Sequence, residues 1–219
     1  MAISTKGLKI YIQKAVAPGP SSTVLVPTAI SSAAPAVVTV ANSLAAGDLI
    51  YCENTGFTEL DGKYFTVGNP TGTEFELIGS DTSGTVDSLD AAPEIIAYEL
   101  SDDMQIVCAS AITVDANVPG TISVATFCNL NASIPSVITE PGNVTLTLYH
   151  EPELAGFQEL QNAYEDGAPR VLAVVFPFGG GTLIGGGVVS GFTVSDVPLD
   201  GAAAWTATFA LSAPLDFAY

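Results

Sequence analysis

The feature that most constrains this chain is a series of short segments in which apolar and polar residues alternate, separated by turns rich in glycine and proline. Alternation with a period of two places successive side chains on opposite faces of a strand, whereas a helix needs apolar residues three or four positions apart. The predicted strands are residues 5–13, 37–41, 48–53, 63–68, 73–79, 120–130, 143–150, 170–178, 186–197 and 203–213. The chain is therefore predicted to be mainly β.

One segment, residues 152 to about 166, has helical spacing instead. Gly167 stands just past its end and Pro152 at its start, which is the usual asymmetry of helix termini. The side chains predicted to pack on the sheet are Leu154, Phe157, Leu160 and Tyr164. A single short helix among many strands predicts a β-sandwich or barrel and excludes an alternating β/α fold.

Residues 36–97 are predicted to form a small all-β module. Its strands are paired locally, and Asp61-Gly62 gives the strongest hairpin signal. Lys63 is the one cation of this stretch, which holds ten of the 23 acidic residues. A locally paired unit of this kind can be inserted into another domain, so the remaining residues, 1–35 and 98–219, are predicted to form one discontinuous β core.

Charge is scarce and strongly one-sided. Only 13% of residues are charged against 48% that are apolar, so a monomer would have little charge to cover its surface. Some apolar surface is therefore predicted to be buried against other subunits. The net charge of −18 disfavours ordinary phosphate-backbone binding, which depends on Lys and Arg neutralising phosphates.

The N-terminus is the exception to this charge balance. The chain has five cations, and Lys6, Lys9 and Lys14 lie within a 14-residue stretch that contains no acid. Opposite charges steer association, so this stretch could be a basic arm that reaches an acidic neighbouring subunit. An ordinary solvated terminus is the equal alternative.

The three cysteines, Cys52, Cys108 and Cys128, are an odd number without CxxC spacing. They predict neither a disulfide framework nor a zinc site, but buried thiols in a reducing compartment. The N-terminus lacks the apolar region of a signal peptide, and the prolines of the uncharged stretch 15–47 argue against a membrane helix. We expect a soluble protein, made and folded in the cytoplasm, with no membrane segment.

No enzymatic site is predicted. His150 is the only histidine, which excludes clusters of histidine ligands, and it is expected to help cap the helix. Acidic pairs such as Glu151/Glu153 could act as general acid and base or bind Ca²⁺, but EF-hand spacing is missing, so solvated roles are favoured. The glycines of 179–187 lack the Lys-Ser/Thr ending of a phosphate loop. We predict no catalytic residue, metal or cofactor.

The C-terminal half carries an ordered set of motifs. A strand near Cys128 is followed by NVTLTLYHEPELAGFQELQNAYEDGAPRVLAVVFP, a glycine-rich turn, and GFTVSDVPLDGAAAWTATFALSAPLDF. Roughly the last 100 residues resemble the conserved core of tail tube proteins of long-tailed (siphovirus-type) bacteriophages. The positions that match the family pattern are Leu160, Ala163, Gly167, Pro177, residues 191–194 and residues 208–214. The glycine-rich turn at 179–187 is longer than in the plainest members of that family.

The inserted segment has a likeness of its own. GDLIYCENTGFTELDGKYFTVGNPTGTEFELIGSDTSG is similar to a small β module that recurs in phage tail and virion proteins. That module resembles a β subdomain of ubiquitin-activating enzymes, and here it implies nothing about ubiquitin chemistry.

The resemblance implies a tail-tube fold and a structural role in the virion tail. Subunits of this family form hexameric rings whose sheets join into a β-barrel around a lumen, and an N-terminal arm and a long loop stack the rings. DNA passes through without specific binding, and the partners are the tape measure, tail terminator and tail tip or baseplate proteins. The inter-ring contact candidates are Lys6, Lys9 and Lys14, and the lumen-acid candidates are Asp102, Asp103, Asp115 and Glu140.

Three other functions remain as alternatives. An extracellular β-sandwich adhesin or binding module is disfavoured by the missing signal peptide and the unpaired cysteines. A hydrolase with an acidic site is disfavoured because no catalytic set converges. A tail terminator or decoration protein would form a single ring that does not polymerise.

Overall fold

The computed structural model describes residues 7–16, 19–84, 88–115, 119–123, 133–139, 142–177, 179–197, 202–213 and 215–218. In chain order the strands are β1 (Lys9–Gln13), β2 (Ala15–Val16), β3 (Gly19–Pro20), β4 (Thr23–Leu25), β5 (Ala29–Ile30), β6 (Ala36–Thr39), β7 (Leu49–Glu53), β8 (Tyr64–Gly68), β9 (Glu74–Ile78), β10 (Glu94–Tyr98), β11 (Met104–Val107), β12 (Ala109–Val114), β13 (Pro119–Ser123), β14 (Ser133–Thr139), β15 (Asn143–Tyr149), β16 (Arg170–Val175), β17 (Thr182–Asp196), β18 (Ala204–Leu211) and β19 (Asp216–Ala218). A single helix in the described ranges, α1 (Ala155–Asp166), lies between β15 and β16. The predicted fold class, a mainly β sandwich with one short helix, is confirmed.

The larger sheet has eight antiparallel strands in the order β11-β1-β16-β17-β18-β15-β12, with β19 paired to the start of β17. Its two end strands, β11 and β12, are consecutive in the chain and are separated only by Cys108. The sheet must therefore curl until its ends come together. This closure gives a sandwich of two half-sheets from one continuous sheet.

The long strand β17 belongs to both half-sheets. Residues 182–187 pair with β16, whereas residues 187–196 pair with β18. The first half-sheet is thus β11, β1, β16 and residues 182–187, and the second is β12, β15, β18 and residues 188–196. Gly187 stands at the change of partner, where a Cβ atom would lie 2.1 Å from the carbonyl oxygen of Ala210. Such a close approach of two backbones requires glycine.

The main core lies between the half-sheets and is closed by α1. Alternate residues of the strands point into it, among them Ile12, Leu172, Leu146 and Phe209. The helix contributes Gly156, Phe157, Leu160 and Ala163 as its buried face. Gly167 follows the helix in the left-handed conformation, with φ 62°, which favours glycine.

This buried helix face differs from the predicted one at two positions. Phe157 and Leu160 are buried, but Leu154 is 39% and Tyr164 45% exposed. Leu154 lies outside the helix, as its N-cap, because α1 begins three residues later than Pro152. The small residues Gly156 and Ala163 replace them, since α1 lies directly against a strand: a Cβ on Gly156 would be 2.2 Å from the Ile106 carbonyl oxygen.

The second sheet has seven antiparallel strands in the order β4-β10-β7-β8-β9-β6-β5. Its end strands, β4 and β5, are again consecutive, so this sheet also curls, around a core that includes Ile50, Phe75 and Leu77. The strands come from residues 23–98, so the sheet begins before residue 36, where the module was expected to start. The division of the chain into two domains stays a prediction.

A third apolar cluster joins the two sheets. Leu49 and Tyr98 from the seven-stranded sheet pack with Val171, Ala173 and Ile184 of the first half-sheet. These three residues alternate with the core residues of the same strands, so the seven-stranded sheet covers the outer face of the first half-sheet. Hydrogen bonds support this packing, including one of 3.3 Å from the Tyr64 amide to the Asp216 carboxylate.

The remaining strands form two small ribbons, β2 with β3 and β13 with β14. The predicted strand 120–130 is described only as far as Ser123. No helix in the described ranges combines the length and the apolar character needed to cross a membrane.

Candidate assembly surface

The second half-sheet has an unpaired strand at each side. In the part of the chain that the structure describes, β12 pairs only with β15, and residues 188–196 pair only with β18. The second edge arises because β16 begins at Arg170, opposite Gly187, and leaves the rest of β17 without a strand on that side. Four consecutive strands thus present two open edges, which are backbone templates for pairing with another chain.

Neither edge carries the residues that usually protect an exposed strand. The sequence of β12, ASAITV, has no charge and no proline, and none of its residues is fully buried. Residues 188–194 are likewise uncharged, and Val194 is 48% exposed. Proteins that remain monomeric commonly place Lys or Pro at such edges. These two edges are therefore suited to pairing between subunits.

The three predicted inter-ring lysines fall in different situations. Lys14 donates hydrogen bonds to the carbonyl oxygens of Ser101, at 3.2 Å, and Asp102, at 2.8 Å, so its ammonium group binds its own chain. Lys9 is exposed at the start of β1, opposite Val175. Lys6 lies outside the described residues. Of the two described lysines, Lys9 is the one whose charge is available to a neighbour.

The predicted lumen acids also differ in their exposure to solvent. Asp103 is only 8% exposed, and its carboxylate accepts hydrogen bonds from the Ser21 hydroxyl and, at 3.0 Å, from the Glu99 amide. This burial removes Asp103 from the candidates, because it fixes the turn before β11. Asp102, in the same turn, is exposed. Asp115 is exposed at the end of β12, and Glu140 lies outside the described residues.

The expectation that His150 caps the helix is wrong. The N-cap is Leu154, which makes no side-chain capping hydrogen bond. His150 instead stacks on Trp205, with ring centroids 5.7 Å apart and an interplanar angle of 17°, and meets Phe157 edge-on. Phe192 extends this aromatic cluster, 4.9 Å from Trp205. The imidazole is thus part of the packing where β15 leads into α1.

Burial differs between the cysteines. Cys52 is buried, and burial, followed by the charge of Asp61, raises the pKa of its thiol to about 12. Cys108 is exposed, contrary to the expectation of buried thiols, because it is the single residue at the bend between β11 and β12. Cys128 lies outside the described residues. A thiol this hard to ionise at Cys52 is a structural group and not a nucleophile.

Arg170 is a buried charged residue whose place in the fold sequence reasoning missed. It is 2% exposed at the start of β16, and its guanidinium donates to the Asp166 carboxylate. Its Nε lies 4.0 Å from Glu159 Oε1. The available signal was an isolated arginine at the head of an apolar strand, directly after the acidic end of the helix.

No metal site is evident in the described ranges, where no three His, Cys, Asp or Glu residues are placed to bind an ion. A cavity of about 340 Å³ lies between the two sheets, beside Lys63, Asp81 and Asp216.

A scan against protein-family models finds no match to this sequence, and a search of curated proteins finds no significant relative. The functional argument therefore rests on the residues and on the geometry of the two sheets.

Proposed function

We propose that this chain is a non-catalytic structural subunit of a bacteriophage tail tube. In this proposal its copies form hexameric rings, and the rings stack into the hollow conduit through which DNA passes into the host. The observation that carries the proposal is the second half-sheet, four strands with an open edge on each side, whose one charge is Asp196 at the end of β17. The sequence resemblance of the C-terminal half supports it independently.

The two open edges suggest how a ring would close. If β12 of one copy pairs with residues 188–196 of the next, each copy adds four strands to a continuous barrel. Closure covers both open edges of the second half-sheet, which a chain so poor in charge otherwise has little means to protect. The edges cannot satisfy each other within one copy, because β15 and β18 lie between them.

The position of the seven-stranded sheet supports the same arrangement. It covers the outer face of the first half-sheet through the cluster around Leu49, Tyr98 and Val171. It therefore leaves the second half-sheet and both of its edges uncovered. An inserted module placed there adds bulk to the subunit without blocking the surface that a ring would use.

Partners follow from the same proposal. Besides its own copies, the subunit would contact the tape measure protein during assembly, the tail terminator at one end of the tube and the tip or baseplate proteins at the other. The exposed Lys9 and the N-terminal residues around it would contact the acidic neighbouring ring. The net charge of −18 disfavours binding of the DNA that passes through.

Negative-stain electron microscopy of the purified protein over a range of concentrations tests the proposal. Hollow tubes with a regular axial repeat are expected at high concentration. Isolated rings that never stack would support the terminator alternative instead. A monomer at every concentration, above all one that binds glycans or a protein ligand, would reject the tube and favour the adhesin.

A further inference from the structure

We propose that the outer face of the second half-sheet lines the tube lumen, and that the middle of this wall is neutral and covered by threonine hydroxyls, with acids only at its two ends. This inference rests on the proposed tube. It concerns a surface for which the sequence suggested carboxylates.

The face is defined by the register of four strands. Across it, Ala111, Thr147, Thr206 and Thr193 lie in one row. The next row is Thr113, Thr145, Thr208 and Gly191. The intervening residues, such as Leu146, Ala207 and Phe209, are buried in the core, so these two rows point away from it. Six threonines therefore form a compact array on one surface.

No charge interrupts this array. A third row, Asn143, Ala210 and Val188, is uncharged on three strands, but Asp115, whose amide donates to the Asn143 carbonyl oxygen, follows Val114 opposite Asn143. Acids appear only at its margins, with Asp115 after the end of β12 and Asp196 at the end of β17. In a chain with 23 acidic residues and a net charge of −18, two complete rows of a four-stranded face without a carboxylate are a marked departure from the average surface.

The width of the barrel determines which face of the second half-sheet points towards the lumen. Six copies of four strands spaced about 4.8 Å apart give a barrel roughly 37 Å across, before strand tilt widens it. The other face of the second half-sheet carries the core, α1, the first half-sheet and the whole seven-stranded sheet. Six such bodies do not fit within that width. The threonine face must then face the lumen.

A threonine wall suits a conduit. Hydroxyl groups keep the surface hydrated, so no apolar patch is available to hold a protein that fills the lumen during assembly. The absence of Lys and Arg from the array leaves nothing to neutralise DNA phosphates. Thr is also a strong β-former on a pleated surface, so the same residues stabilise the sheet.

Gold labelling of engineered cysteines tests the inference. Thr147→Cys and, as a second variant, Thr208→Cys would each be made in a background with exposed Cys108 replaced by serine. The matched control is Thr73→Cys, exposed in the turn between β8 and β9 of the seven-stranded sheet. All three should react with a small maleimide before assembly. Assembled tubes would then be exposed to maleimide-coated gold particles wider than the lumen.

The expected result is gold along the whole length of the Thr73→Cys tubes, but only at the ends of the Thr147→Cys and Thr208→Cys tubes. Gold along the sides of either lumen variant would overturn the inference while leaving the tube itself established. If neither the native protein nor the Cys108→Ser parent forms tubes, the proposed function is rejected, and the inference about the lumen wall is rejected with it.

Discussion

The buried guanidinium of Arg170 donates a hydrogen bond to the carboxylate of Asp166, at the end of the helix that leads into its strand. Glu159, two turns earlier on the same face of the helix, lies near the same guanidinium and also accepts a 2.7 Å hydrogen bond from the Ala15 amide. This cluster therefore joins α1, β16 and the segment after β1. A buried charge depends strongly on its partners, because taking it out of water is costly.

Asp166→Asn should destabilise the subunit by about 1–3 kcal/mol, because it leaves the buried guanidinium with a weaker partner. The expected loss is below that of a fully buried pair, since the Asp166 side chain is 40% exposed. Urea unfolding followed by circular dichroism measures it. Glu165→Gln on the same helix is the control, because Glu165 is exposed, and it should change stability little. Equal effects of the two substitutions would contradict this role for Arg170.

Gly156→Ala should also destabilise the subunit, although alanine normally stabilises a helix by about 1 kcal/mol relative to glycine. The added Cβ would lie 2.2 Å from the Ile106 carbonyl oxygen, so α1 must move away from β11. We expect a net loss of about 1–3 kcal/mol, as for other overpacked sites. Asn162→Ala, at an exposed helix position, is the control and should be neutral or slightly stabilising. A more stable Gly156→Ala variant would show that the helix can shift freely.

Local pattern was sufficient to predict the fold class and much of the C-terminal half. The strands β15 and β18 alternate clearly, β16 is a short apolar run buried on both faces, and Gly167 marks the end of the helix. Short strands such as β4, β5 and β19 have two or three residues, too few for a pattern, and exist because a neighbouring strand supplies their hydrogen bonds. Such strands are a product of the tertiary fold and not of propensity.

The candidate site was predicted less well, for the same reason. Lysines and acids could be identified by charge, but whether a side chain faces solvent or its own backbone depends on distant residues. Asp103 is buried by Ser21 and Glu99, and Lys14 is bound to the turn at residues 101–102. The threonine array likewise cannot be predicted from any one sequence segment, because it depends on the register of four strands.

Stability should fall at alkaline pH because of tyrosines between the two sheets. Burial raises the pKa of Tyr98 to about 12 and, with the neighbouring Tyr98, also raises that of Tyr64. The unfolded chain releases these protons near pH 10, while the folded protein retains them, so unfolding is favoured as pH rises. Each group should cost about 1.4 kcal/mol per pH unit between pH 10 and its folded pKa. Urea midpoints from pH 8 to 11.5 measure the slope.

Tyr98→Phe should reduce this alkaline slope, since phenylalanine has no proton to release. Tyr149→Phe is the matched control: Tyr149 is 53% exposed, and its removal should leave the slope unchanged. An identical slope in the wild-type and Tyr98→Phe proteins would show that the hydroxyl of Tyr98 is accessible to water.

Ring formation should depend on the free backbone groups of β12. Adjacent residues of an antiparallel strand direct their N–H groups to opposite sides, so one of Thr113 and Val114 donates towards β15 and the other towards the open edge. Proline removes one donor in each single variant. We expect one of the two to lower subunit stability, and the other to keep stability but lose tubes in electron micrographs. Normal tubes from both variants would exclude β12 from the ring contact.

The two described N-terminal lysines should behave differently when neutralised. Lys14→Gln removes the ammonium group that binds the carbonyl oxygens of Ser101 and Asp102, so it should lower subunit stability, by about 1 kcal/mol, with a smaller effect on assembly. Lys9→Gln changes an exposed charge, so it should leave the unfolding midpoint unchanged and raise the protein concentration needed for tube growth. Light scattering measures that concentration. Because salt screens exposed charges, added salt should raise the concentration that the wild-type protein needs for tube growth until it approaches that of the variant. If Lys9→Gln polymerises like the wild type at every salt concentration, the basic N-terminus is merely solvated, and ring stacking must depend on other contacts.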